Sequence, residues 1–339
     1  MSQPDDEAHI NTPIAVLGAG SWGTALAIQL ARANRPTRLW GRQPAALAEM
    51  AKTRVNARYL PDVRFPDSLT VEKDLGAAVQ GVADILIAIP SHAFRDTLVK
   101  LAPHLIAGQR VAWATKGFEL TSGLLPHQIA HAVLPQVPVA VVSGPTFARE
   151  VGQGLPTAMT VASDNESFAN ELARSLSGQH FRTYTSPDIV GVEVGGATKN
   201  VLAIATGLAD GMGFGANTRA ALITRGLVEM TRLGTALGAR ADTFMGLSAL
   251  GDLVLTCTDD QSRNRRFGLA MARGLSADAA LADIGQVVEG FQAAAAIHRV
   301  ATRMHVDMPI AEQVYRVLYE HVPLKEAVAA LMGRDLKAE

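Results

Sequence analysis

The chain is poor in several things at once. Of its 339 residues only one is cysteine, Cys257. A single cysteine rules out an intrachain disulfide framework and a cysteine-based zinc site, and it fits a reducing compartment. Charge of one sign is lacking too: 31 Lys plus Arg stand against 32 Asp plus Glu, a formal net charge of -1. Nucleic-acid-binding domains carry a basic excess, so no nucleic-acid partner is expected. No window reaches the roughly 18 uncharged apolar residues of a membrane span. The opening MSQPDDEAHINTP has acids where a signal peptide needs Lys or Arg, and no apolar segment follows. These absences predict a cytoplasmic protein with no membrane span and a disordered tail over 1–11.

What is present is apolar and patterned. Hydrophobic residues make up 48% of the chain, enough for full cores, and the length predicts two domains. Short β-rich runs fall at 14–20, 37–41, 84–90, 110–115, 139–144 and 157–163. Helical spacing separates most of them. Strand then helix, repeated, predicts a parallel sheet with helices on both faces. After Pro187 the strand signals stop. Ser186, Pro187 and Asp188 read as a helix start, with Ser186 as N-cap. Helical stretches are expected at 188–209, 218–237, 264–273, 276–284, 289–304, 309–320 and 323–332. The expected fold class is an α/β Rossmann-type N-terminal domain over 12–188, followed by an all-α C-terminal domain over 189–339.

The first run ends in GAGSWG at 18–23, a G-x-G-x-x-G motif between a strand and a helix. In that context Gly18 allows a tight turn, Gly20 admits a pyrophosphate and Gly23 lets helix and strand pack closely. The helix start, with Ser21 and Trp22, offers unpaired N–H groups to phosphate. An NAD-preferring site carries Asp or Glu at the end of its second strand. Here Gly41 stands in that place and Arg42 follows, which favours a 2′-phosphate. NADPH is the preferred cofactor on this reading, with NADH accepted.

One lysine stands out. GGATKN at 195–200 lies in a long apolar run, and Lys199 has no basic neighbour nearby. Either its stem carries the ammonium to water or it does chemistry. SRNRR at 262–266 is the densest basic cluster and precedes a helical pattern, which suits a phosphate or, equally, a solvated helix start. Lys116 ends a strand where such folds bind ligands. Signals for metal are weak: HQIAH at 127–131 lacks the glutamate and third ligand of a zinc site. No metal is expected. Cys257 reads as a small buried hydrophobe.

Taken together, GAGSWGTALA, WATKGFE, SGPTFARE, GLPTA, GGATKNV, GFGANTRAALITRG, ALGDLVLTCT, QSRNRRFG and GQVVEG make the chain resemble bacterial NAD(P)-dependent glycerol-3-phosphate dehydrogenases. The resemblance runs from residue 18 to about 290. It implies reversible reduction of dihydroxyacetone phosphate to sn-glycerol 3-phosphate, supplying phospholipid synthesis, by a homodimer. It implies Lys199 as the proton-transferring residue. Substrate contacts are implied at Lys116, Gly144, Thr146, Asp252, Ser262, Arg263 and Asn264. Cofactor contacts are implied at Ser21, Trp22, Arg42, Lys116, Ala148, Arg263, Val287 and Glu289. Arg265 and Arg266 receive no role. Ser248 and Ala249 depart from the small apolar or glycine residues expected there. The chemistry asks for the same residue types: hydride on a carbonyl carbon leaves charge on oxygen, which an ammonium can polarise and protonate. Asp252 would orient that ammonium and Asn200 could add a hydrogen bond. Two other readings share the sequence signals: a Rossmann reductase of hydroxy or keto acids, and a cofactor-binding regulator without catalysis.

Overall fold

The computed structural model describes residues 12–335; the tail expected over 1–11 lies outside the described residues. The chain divides into two compact units, 12–116 with 126–192, and 117–125 with 193–335.

The first unit is built on an eight-stranded sheet. Its strands are β1 (Ile14–Leu17), β2 (Thr37–Trp40), β5 (Leu69–Glu72), β6 (Asp84–Ile87), β7 (Arg110–Trp113), β8 (Val139–Ser143), β9 (Thr157–Ala162) and β10 (Phe181–Ser186). A separate hairpin pairs β3 (Val55–Asn56) with β4 (Leu60–Arg64). The sheet order is β10-β9-β8-β7-β6-β1-β2-β5. The chain runs outward from β1 to β2 and β5, then returns to β6 beside β1. That reversal makes a switch point at β1 and β6, where the carboxyl ends of parallel strands leave a crevice for ligands. The residues of β1, β6, β7 and β8 are buried throughout, as strands covered on both faces must be.

The sheet differs from the all-parallel expectation at one edge. β8 and β9 are antiparallel, and β10 is parallel to β9, so the last two strands run against the others. Between β8 and β9 the chain makes only a short helix, Ala148–Gln153. It is pinned to the first helix, Ser21–Arg32, by the bond from Arg32 Nη1 to the Val151 carbonyl (3.1 Å). Strand–helix alternation does not encode direction, so the sequence pattern could not show this. The short strands β5 and β10 also escaped the sequence reading; β10 is half exposed and polar.

Labelled in chain order, the helices used below are α1 (Ser21–Arg32), α2 (Ala148–Gln153), α3 (Ile189–Gly211), α4 (Ala216–Ala236), α5 (Asp252–Thr258), α6 (Arg263–Ala272), α7 (Glu289–Arg303), α8 (Pro309–Tyr319) and α9 (Leu324–Met332). The start of α3 corrects the expected cap. Ser186 is still paired in β10 with Ala162, and Asp188 Oδ1 accepts from the Gly191 amide at 2.8 Å. Strand pairing claims the serine, so the aspartate two residues on closes the helix.

The second unit is helical, from residue 193 of α3 onward. α3 meets α6 through stripes of small residues. A Cβ added at Gly207 would strike the Arg265 carbonyl, and one at Gly268 the Ile204 carbonyl. The two backbones therefore lie in direct contact, which only glycine permits. A π-helical turn, Leu247–Gly251, leads directly into α5. No strand pattern or long helical period marked either element in the sequence.

Candidate functional site

In the first unit the glycine motif forms the turn between β1 and α1. Gly18 has φ +129°, a conformation that side chains resist, and a Cβ there would meet the Ala88 carbonyl. That contact seats the turn on the end of β6. A Cβ at Gly23 would strike the Gly18 carbonyl, so the helix starts against its own turn. Gly20 has no atom within 4 Å of an added Cβ, so its glycine leaves open space above the turn. No side chain caps α1 and its first turn has no acid, which leaves its amides to an anion. Asn56 Nδ2 holds the loop from behind through the Ala19 carbonyl (3.2 Å) and Thr24 Oγ1 (2.8 Å). Sequence reasoning did not find Asn56, because it sits in the unread hairpin.

Gly41 ends β2 beside this loop. A Cβ there would lie 2.8 Å from the Ala19 Cβ, so packing itself excludes an acidic side chain at that position. Arg42 is exposed. Trp22 is half-buried, and its Nε1 lacks a hydrogen-bond partner. At the carboxyl end of β7, Thr115 Oγ1 donates to the Ile89 carbonyl at 2.8 Å and Lys116 follows, half-buried. After β8, a Cβ at Gly144 would come within 2.7 Å of the Met159 Cα. Thr146 Oγ1 donates to the Gly144 carbonyl at 3.2 Å, and Ala148 opens α2. The fold thus gathers the glycine turn, Lys116, Gly144, Thr146 and Ala148 at the carboxyl ends of β1, β7 and β8, one edge of the sheet.

In the second unit Lys199 is 7% exposed, so it does not reach bulk water along its stem. Its Nζ donates to Asp252 Oδ1 and to Thr256 Oγ1 (2.9 Å). Asp252 is fully buried at the first position of α5. Thr256, one turn on, donates to the Asp252 carbonyl at 2.6 Å. The pair meets because α3 lies against the π-helical turn: a Cβ at Gly195 would fall 2.9 Å from the Ser248 carbonyl and 3.0 Å from the Ala249 Cβ. Ser248 and Ala249, the departures noted above, are the residues on which Gly195 rests. A π turn within helical structure re-aims the residues after it and recurs at functional sites. Thr256 was not picked out from the sequence; its spacing of four from Asp252 is the one signal available once 252–258 is read as helix.

The neighbouring thiol is inert. Cys257 is fully buried, and burial pushes its pKa up to about 12, which suppresses the thiolate.

The basic cluster separates into distinct parts. Ser262 Oγ accepts from the Arg265 amide at 3.2 Å, capping α6. Arg265 is buried and committed: it bonds Asp210 (2.7 Å), Asp260 and the Cys257 carbonyl (3.2 Å). Arg266 is exposed and Arg263 half-buried. Arg263 makes no ion pair or side-chain hydrogen bond among the described residues, so of the two less exposed arginines it is the one with an uncommitted guanidinium. Asn264 bonds Asn200, and Asn200 bonds Glu289. Val287 is 45% exposed, just ahead of α7. Among the described residues no group of three or more His, Cys, Asp or Glu could hold a metal ion. None of the described helices is long and apolar enough to cross a membrane.

Comparison with known proteins matches this layout over most of the chain. A family described as the NAD-dependent glycerol-3-phosphate dehydrogenase N-terminus matches residues 13–169, and its C-terminal counterpart matches 188–329. A glycerol-3-phosphate dehydrogenase [NAD(P)+] of Aeromonas hydrophila is 56% identical over 328 residues, covering 96% of this chain and 98% of the relative. One from Thioalkalivibrio sulfidiphilus is 56% identical over 340 residues, covering all of both chains. The crystal structure of glycerol-3-phosphate dehydrogenase from Coxiella burnetii superposes with a TM-score of 0.93 at 48% identity, covering 96% of this chain and 100% of that one. With both halves matched and relatives above half identity, this chain belongs to the NAD-dependent glycerol-3-phosphate dehydrogenase family.

Proposed function

We propose that the chain reduces dihydroxyacetone phosphate reversibly to sn-glycerol 3-phosphate, with Lys199 as the proton donor and NADPH as the preferred cofactor. The observation that carries the assignment is the buried ammonium of Lys199 held by Asp252 and Thr256. A lysine withheld from water can place its proton on a carbonyl oxygen as charge develops there. Asp252 and Thr256 fix the direction of the N–H bonds. After transfer the neutral amine takes up a proton before the next turnover, and the reverse reaction uses it as base.

The cofactor fits the first unit: the turn at Gly18, Gly20 and Gly23, with the uncapped start of α1 at Ser21 and Trp22, suits a pyrophosphate. When bound, the nicotinamide supplies the hydride. Lys116, Gly144, Thr146 and Ala148 would flank it at the same sheet edge. Arg42, exposed beside a position where packing excludes an acid, would read a 2′-phosphate, and Val287 and Glu289 would complete the cofactor contacts. Ser262, Arg263 and Asn264, at the start of α6, would hold the substrate phosphate through amides and a guanidinium. The same reading carries a homodimer in the cytoplasm whose product feeds phospholipid synthesis.

The test is NADPH oxidation followed spectrophotometrically with and without dihydroxyacetone phosphate. Turnover with that substrate, none with unphosphorylated keto acids, and its loss in Lys199→Ala with NADPH binding retained are expected. Turnover of a keto acid alone would replace this reading with that of a different reductase.

A further inference from the structure

We infer that Glu289 is a positioning residue for the substrate contact Asn264, acting through Asn200; the inference rests on the function proposed above and deepens it.

Three side chains from three helices form a closed circuit. The Gly290 amide donates to Asn264 Oδ1 (2.8 Å). Asn264 Nδ2 donates to Asn200 Oδ1 (2.9 Å). Asn200 Nδ2 donates to Glu289 Oε2 (3.1 Å). The circuit leaves from one residue of α7 and returns to its neighbour. Asn200 and Asn264 are 4% and 8% exposed, so a mismatched partner would stay unsatisfied.

The direction of every bond follows from one group. A backbone N–H can only donate, so Asn264 must present its oxygen to Gly290. Its amide nitrogen then faces Asn200, which must present oxygen in turn and aim its own nitrogen at α7. An acceptor is required there, and Glu289 supplies it. Each asparagine keeps one further N–H, so both amides are fixed as donors. Asn264 sits in the first turn of α6, two residues from Ser262 and one from Arg263, where donors suit a phosphate oxygen. Without the carboxylate, the orientation of Asn200 that Asn264 demands leaves its Nδ2 without the α7 acceptor, and the flipped form takes the acceptor from Asn264 instead, so either way a buried donor goes unsatisfied.

Gly290 is what lets α7 come this close. A Cβ there would lie 2.6 Å from the Asn200 carbonyl and 2.8 Å from Asn264 Oδ1. The circuit therefore depends on glycine at 290 as well as on the acceptor at 289. A contact of Glu289 with cofactor alone would not need Asn200 or Asn264.

The test is a double-mutant cycle on the working enzyme at saturating cofactor. Asn200→Asp sets a carboxylate against Glu289 and should raise the KM for dihydroxyacetone phosphate about tenfold or more. Adding Glu289→Gln lets the glutamine nitrogen donate to the new aspartate, which still accepts from Asn264. That double variant should return the KM to within about threefold of Glu289→Gln alone. A double variant as impaired as Asn200→Asp, with thermal midpoints equal to wild type, overturns the inference. If Asn200→Asp does not fold, Glu289→Ala is compared with Glu289→Gln, which keeps an acceptor oxygen. The alanine variant should have the higher substrate KM; equal substrate KM values, with only cofactor KM changed, overturn the inference. Wild-type turnover is measured first, because its absence would sink the function assignment itself, whereas failure of the cycle in an active enzyme sinks only the positioning role.

Discussion

The ion pair of Lys199 and Asp252 gives the sharpest stability prediction. The lysine side chain is 9% exposed and the aspartate side chain 1%, so neither charge has water to fall back on. Removing one partner takes from the other an opposite charge at hydrogen-bond distance in a poorly polarisable interior. The cost of such a half-removal is about 3–5 kcal/mol. Lys199→Met and Asp252→Ala should each destabilise the second unit by that order. The double variant should lose far less than their sum, because no uncompensated charge remains; replacing a buried pair with apolar groups is often near neutral. The coupling energy should therefore be large, on the order of 3 kcal/mol. Urea unfolding followed by circular dichroism, with the four proteins of the cycle, measures it. Single effects below about 1 kcal/mol that simply add would mean a solvated pair, and a solvated Lys199 would not be the withheld proton donor proposed here.

Glu229 gives a pH prediction. Burial pushes its carboxyl from 4.5 to about 7, against the pull of the Ile310 and Ala311 amides and of Arg232, with Asp307 adding to the rise. A raised acid keeps its proton in the folded state, so its contribution is fully present below pH 4.5 and is lost as pH rises through about 7. Between those limits wild type should lose about 3 kcal/mol relative to Glu229→Gln; a pH-independent difference in denaturant midpoints would contradict the burial. Arg42→Ala should raise the KM for NADPH about tenfold or more while NADH changes little, and equal losses would remove Arg42 from cofactor reading. Arg263→Ala should raise the KM for dihydroxyacetone phosphate about tenfold or more at near-normal stability. Arg265→Ala should instead cost about 3 kcal/mol of stability, since Asp210, with a side chain 8% exposed, loses a partner.

Periodicity served well where structure was local. The glycine turn was legible because its strand, turn and helix are contiguous, and the long helices of the second unit because their apolar stripes repeat. Reading failed where one element overrides another. Ser186 looked like a cap but is held by strand pairing, and β9 runs against β8, a direction that strand–helix alternation does not encode. The segment 247–258 holds a π turn of five residues and a helix of seven, each too short for an apolar period to announce it.

The sequence by itself determined the two-part architecture, the glycine turn between the first strand and helix, the missing acid at Gly41 and the presence of a lone lysine in an apolar helix, since each is written in contiguous residue types. Only the tertiary structure decided what that lysine touches. Lys199 and Asp252 are 53 residues apart, and they meet because Gly195 lets α3 lie on the turn at Ser248 and Ala249. Likewise, which arginine of the cluster is committed depended on Asp210 and Asp260 arriving from elsewhere. Contacts of that kind are set by helix packing at glycine, a constraint on space that no one-dimensional pattern records.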